Sequence, residues 1–448
     1  MTVDASSVEA TPTVEAPTLL PTSDRVRIFL YAGLLLLLVN FAAPSNGLIG
    51  LPVTFFLKNR LHLAAHELAL FNLWIGIPTY LAFVFGFVRD RWSPFRAGDR
   101  GHLAVFGCVT AVLYATIAFT SPTYVVLLAG LLMVTASIQM VASAANGLVS
   151  TIGQQHAMAG QSSTAFNIAL SLPVLAAALL GGMLSGFLEG RDATTAARIL
   201  FLVAALLMAA IALFGASGPR RLFDAARPEH SGKASIAADI GRLFAHRPVY
   251  PALLIEILWW FIPATGTALT YHLANTLHAS DAQVGEFYAI FYGLFAPTFV
   301  LYGFLCQRVR LSRLLFWGTI VGIPAPLVLL PVHSVTGAFL AAIPLGLTGG
   351  VAQAAFMDLA IRSCPKGLRG TMMMLVVTMT AVALSFGNLW GTNLYDHHGG
   401  FLTLVVASVI TSAAILPVLL LVPRHLIATA DGQRLASAST RQQSNHAA

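Results

Sequence analysis

Charge is what this chain lacks most. Asp, Glu, Lys and Arg together make 10% of its 448 residues, while hydrophobic residues make 57%. A soluble domain carries about 25% charged residues. No water-soluble core absorbs so much apolar surface, so the composition places the chain in a membrane. Cysteine is also scarce. Cys108, Cys306 and Cys364 lie in or beside apolar stretches without metal-ligand spacing, and they read as packing residues. No Gly-Lys-Ser/Thr follows Gly181-Gly182 or Gly349-Gly350, so a phosphate-cradling loop and ATP-driven work are disfavoured. No nucleophile motif marks an enzyme, and no cofactor or metal is assigned. His62 and His66 are four residues apart but sit beside a loop, without the second His of a zinc-protease motif. No basic stretch interleaves with aromatics in a polar segment, so nucleic acid is set aside. Residues 1–23 lack a basic start and an apolar core, which excludes a signal peptide and predicts a disordered cytoplasmic N-terminus.

What the chain has instead is about a dozen apolar stretches. They run near 27–57, 65–88, 102–121, 123–152, 161–188, 195–216, 249–276, 282–306, 314–333, 335–361, 369–395 and 400–422. Each reaches the roughly 20 residues that a helix needs to cross ~30 Å of hydrocarbon. With the N-terminus placed inside, 21 of the 25 Lys and Arg fall on the inner side; Lys58, Arg60, Arg191 and Arg198 are the exceptions. Cytoplasmic loops retain Lys and Arg. The bias therefore predicts an all-α protein of 12 transmembrane helices in the inner membrane, with both termini cytoplasmic. It also accounts for the net charge of +7. The segment 217–248 separates six spans (24–216) from six (249–423), and its Ile236–Phe244 piece suits a helix lying on the membrane. Residues 424–448 read as a polar cytoplasmic tail.

The halves repeat a motif. Gly86-Phe87-Val88-Arg89-Asp90-Arg91 ends span two, and Gly303-Phe304-Leu305-Cys306-Gln307-Arg308 ends span eight, 217 residues later. Two six-helix bundles of this kind are the layout of a secondary transporter whose halves rock about a midplane site. Gly86, Asp90, Arg91, Arg96 and Arg100 resemble the signature of the major facilitator superfamily between its second and third spans. The resemblance implies that the Asp and Arg latch the outward-facing state and that Gly86 permits close helix approach. Trp92-Ser93-Pro94-Phe95 departs from the signature's spacing. Four shorter pieces resemble the folate-biopterin transporter branch: Leu51–Lys58; Asp90 with Ser93-Pro94-Phe95 and Arg100; Pro263–Asn275; and Ser363–Gly367 with Gly370-Thr371.

Polar groups inside spans are costly, so they mark candidate sites. Glu256 lies in span seven with Trp259 and Trp260 three and four residues on. A carboxyl in apolar surroundings can bind and release a proton near neutral pH, and a structural carboxyl is the competing reading. Asp358, with Arg362 four residues later, suits a local salt bridge better than proton coupling. Asn40, Asn46, Asn72, Gln139, Asn146, Gln353 and Asn388 are candidates for the cavity, and Trp259, Trp260 and Tyr271 could stack on a flat ligand. Helix-to-helix bonding and ordinary packing compete with those roles. Pro44 with Gly47 in span one, and Pro263 with Gly266 in span seven, are hinge candidates at matching places in the halves. Gly86, Asp90, Arg91 and Arg308 form the expected gate motif.

The sequence thus points to a monomeric, proton-coupled transporter of a small polar organic solute. Few cavity cations weaken a strongly anionic substrate. An exporter rather than an importer, or a non-transporting assembly factor or sensor with the same fold, remain the alternatives.

Overall fold

The computed structural model describes residues 22–45, 47–63, 65–218, 236–397 and 400–431. The expected disordered segment 1–23 lies almost wholly outside them, as do Asn46, most of the 217–248 linker and the tail beyond Asp431.

Among the described residues the helices group into twelve spans in chain order. Span one is Thr22–Phe41 and Gly50–Asn59; span two is Ala65–Tyr80 and Ala82–Arg91. Spans three to six are Asp99–Phe119, Tyr124–Gln155, Ala159–Glu189 and Ala193–Ser217. A short helix, Ile236–Ala245, precedes span seven, which is Val249–Trp260 and Gly266–Tyr271. Span eight is Asp281–Gly293 and Phe295–Arg308, and span nine is Leu311–Gly322 with Ala325–Leu329. Spans ten and eleven are Val335–Arg362 and Arg369–His397; span twelve is Gly400–Ala413 and Ile415–Leu419. A last short helix, Arg424–Ile427, follows. Since the number of crossings is even, span one begins and span twelve ends at one face, here the terminal face.

Local chemistry sets several helix starts. Thr123, Asp192, Ser280 and Ser334 each accept a backbone N–H of the first turn, and Ser280 completes a capping box with Gln283. Spans one and seven are each divided, where the Pro–Gly pairs predict. Around Pro44 the chain folds so tightly that a Cβ on Gly47 would collide with the carbonyls of Phe41 and Ala43. In span seven, Gly266 takes φ +62°, a left-handed turn that favours glycine. The helix then restarts, and the Asn388 side chain accepts the Thr267 N–H at 2.9 Å.

Two of the helix pairs through which the halves meet are related by the repeat. Span two packs on span eleven, and span eight packs on span five. Adding six to each number of the first pair gives the second, with span eleven passing to span five. Burial is uneven along the interface. Every residue from Ala352 to Arg362 in span ten is buried, as are most from Ser137 to Gly153 in span four. Both stretches lie toward the terminal face. Toward the opposite face, Asn72, Leu73 and Trp74 of span two are all exposed, as are Leu384, Ser385 and Phe386 of span eleven. Consecutive helix residues point ~100° apart, so three exposed in a row mean that the helix stands clear of its neighbours on most sides. The bundles close at the terminal face and part at the other.

Candidate functional site

Two polar regions stand out, one at the closed face and one in the middle of the second half.

The closed face is held by buried charges. Asp90, at the end of span two, accepts the backbone N–H of Gly370 at 3.1 Å, the N–H of Thr371 at 2.6 Å and the Thr371 hydroxyl at 2.7 Å. These groups open span eleven, where unpaired N–H groups and the helix dipole favour an anion. Arg89 donates to Asp90 at 2.7 Å and to both oxygens of Asp99 at 2.6 and 2.5 Å. A Cβ on Gly86 would lie 2.5 Å from the Gly370 carbonyl, so only glycine lets spans two and eleven approach this closely. Gln154 of span four donates to the carbonyls of Ile361 and Cys364, both at 2.8 Å, and accepts from Arg369 at 2.6 Å. The gate motif expected from sequence is Gly86, Asp90, Arg91 and Arg308. Arg91 bonds Asp239 on the short helix before span seven, and the arginine beside Asp90 is Arg89. Helix rotation decides this: Arg89 is buried, and Arg91 points out. Arg308 is exposed at the end of span eight.

Deeper in, a buried cluster surrounds Arg362. It donates to Asp358 at 2.7 and 3.2 Å, to Asp431 at 3.0 Å, and to the carbonyls of Leu426 and Thr429 at 3.1 and 3.0 Å. Tyr302 donates its hydroxyl to Asp358 at 2.8 Å. Both oxygens of Asp358 are therefore engaged.

The amide candidates separate by environment. Gln353 donates to Asn167 at 3.0 Å, across the halves, and Asn146 donates to the Met374 sulfur at 3.4 Å. Gln139 donates to Thr79 at 2.9 Å within the first half, and Asn40 donates to the Leu36 carbonyl of its own helix at 2.9 Å. Asn72 and Tyr271 are exposed toward the open face. Pro44 and Pro263 are buried at the breaks of spans one and seven.

The second region is a cavity of about 100 Å³ inside the second half. Trp259, Trp260, Tyr288, Tyr292, Phe291 and Phe295 form the aromatic side of an otherwise aliphatic wall. Thr265, Thr348, Gln353 and Ser412 supply a few polar groups. The break in span seven opens this space, because Ile262, Ala264 and Thr265 leave the helix path there and line it. Glu256 stands one turn from both tryptophans on the same helix. It is 1% exposed. Its Oε1 has no hydrogen-bond partner among the described residues. An unpaired charge at such a place is costly, and a bound proton removes it. Trp259 is held edge-on against Phe356 at 5.2 Å, so the pocket wall is tied to span ten and thereby to the Arg362 cluster.

Two six-helix bundles, closed at one face and parted at the other, define a polytopic carrier fold. The family model of the Major Facilitator Superfamily matches residues 160–388 and 259–443, together more than half of the chain. The chain therefore belongs to that superfamily of membrane transporters. Solved structures agree on the fold. The human organic anion transporter MFSD10 (TETRAN) is similar at TM-score 0.61 and 16% identity, covering 90% of this chain and 100% of that one. The proton:xylose symporter XylE bound to 6-bromo-6-deoxy-D-glucose is similar at TM-score 0.65 and 14% identity, over 90% and 96%. The E. coli fucose:proton symporter FucP is similar at TM-score 0.67 and 14% identity, over 88% and 98%. At such identities the likeness speaks for the fold alone. No curated protein sequence matches the chain.

Proposed function

We propose that this transporter is proton-coupled and carries a small solute with a flat aromatic body and few hydrogen-bonding groups. Its terminal face is the cytoplasmic face of the inner membrane, as the Lys and Arg distribution requires, and the state described is outward-facing. One observation carries the reading. Glu256 is a buried carboxyl whose Oε1 has no partner among the described residues, one helical turn from Trp259 and Trp260 of the aromatic pocket at the break of span seven. The aromatic side chains of the pocket support a flat form of the small solute expected from sequence. A flat ring buried between such side chains gains stacking as well as apolar burial. Thr265, Thr348 and Gln353 would orient it. The resemblance to the folate-biopterin branch fits a pterin-like ring, but no Lys or Arg lines the pocket to receive a glutamate tail. Asp358 serves the closed gate rather than the proton, since Tyr302 and Arg362 occupy both its oxygens. Asp90, Arg89 and Gly86 form the latch between spans two and eleven.

The test is solute accumulation in sealed vesicles under an imposed pH gradient. The wild-type protein should concentrate its solute about tenfold per pH unit if one proton moves with each molecule. Glu256→Gln should let solute equilibrate but not accumulate. Unchanged accumulation in that variant removes Glu256 from the coupling role.

A further inference from the structure

Two of the contacts between the halves, span two on span eleven and span eight on span five, are related by the internal repeat, but only one has its own carboxylate. Gly86 and Asp90 of span two correspond to Gly303 and Gln307 of span eight. Span eleven corresponds to span five, whose opening residues Ala159, Gly160 and Gln161 match Arg369, Gly370 and Thr371. Asp90 receives the N–H groups of Gly370 and Thr371. The repeat calls for a carboxylate on the N–H groups of Gly160 and Gln161, and Gln307 does not provide it. Gln307 carries no charge, is exposed, and turns back to the Gly303 carbonyl at 2.8 Å.

A carboxylate is there nonetheless, and it comes from the far end of the chain. Asp431 accepts the Gln161 N–H at 3.1 Å, and the Gly160 N–H also bonds to it. Its own backbone N–H donates to the Cys306 carbonyl at 2.9 Å, so the tail is pinned onto the end of span eight. Arg362 donates to it at 3.0 Å. Arg362 also gathers the Leu426 and Thr429 carbonyls, drawing residues 424–431 under the closed face. Leu426, Ala430 and Asp431 are buried there at 6, 2 and 8% exposure. The approach of span five to span eight is as close as its counterpart: a Cβ on Gly160 would lie 2.6 Å from the Cys306 Cβ.

We infer that Asp431 is the second gate latch: a tail carboxylate that seats on the start of span five, replaces the one the repeat lost at Gln307, and holds the terminal face shut. The first latch is built into the last turn of span two. The second lies on a segment that follows the last span, so it can leave its seat without disturbing any helix. When the halves rock, span five moves away from span eight, and the seat that Asp431 occupies comes apart. Docking of residues 424–431 and closure of the terminal face are then one event. This rests on the chain alternating between two states, not on the identity of the solute or on Glu256.

The experiment reads the conformational balance in full-length protein reconstituted in lipid. Asn72→Cys, in a Cys108→Ser background, places a thiol on the exposed part of span two near the open face. Its rate of reaction with an impermeant maleimide reports the outward-facing population. Asp431→Asn should lower that rate several-fold, and so should a chain ending at Ala430. Asp431→Glu should restore part of it. Asp90→Asn serves as the comparison and should lower the rate in the same direction. A melting temperature measured on each variant separates gating from folding. Unchanged labelling by Asp431→Asn, with or without a lower melting temperature, overturns the latch and leaves Asp431 a structural residue. If Asp90→Asn also leaves labelling unchanged, the alternation itself is at fault rather than the second latch.

Discussion

Among the described residues each carboxylate of the terminal gate is partnered, whereas Glu256, one helical turn from the pocket's tryptophans, has an oxygen with no partner. Asp90, Asp99, Asp358 and Asp431 all accept from Arg89, Arg362 or a helix start. The contrast separates two uses of charge in a membrane. A carboxylate tied on both oxygens holds helices in place and has no need of a proton. A carboxylate left half-satisfied in an apolar wall has somewhere for a proton to go. The gate is rigid because its groups are complete, and the pocket can work because its group is not.

The comparison breaks most sharply at the pocket. Glu256→Gln should remove gradient-driven accumulation altogether while leaving equilibration, measured as the ratio of inner to outer solute. Next in size is the cluster at the closed face. Arg362→Ala leaves Asp358 and Asp431 buried without their cation, which should cost roughly 3–5 kcal/mol of stability, read as a lowered melting temperature in detergent. Asp90→Asn removes only charge from one acceptor. It should cost about 1.5–3 kcal/mol of charge-assisted bonding, spent on the closed state alone. The outward-facing population, followed by thiol labelling of Asn72→Cys, should therefore fall about tenfold or more.

Much of the architecture was legible in the chain. Twelve apolar stretches and the two Pro–Gly breaks follow from hydropathy and backbone chemistry, which act within a few residues. Glu256 was legible for the same reason, because a charge in an apolar helix stands out by composition alone. The partners were less so. Arg89 and Arg91 are both basic and two residues apart, and only the rotation of the helix decides which one faces Asp90. Asn388 looked like a cavity amide, but it caps the restart of span seven, 121 residues away in the chain. Asp431 carried no signal at all, since it lies in a short polar tail and meets Gln161 across 270 residues.

The sequence by itself determined which segments enter the bilayer, how many there are, and where two of them break, because burial in lipid is a property of each segment separately. Only the tertiary structure decided which charges are completed by partners and which one is left bare. That depends on the groups brought by distant helices, and hydrogen bonding at contact distance is what tells a latch from a proton site.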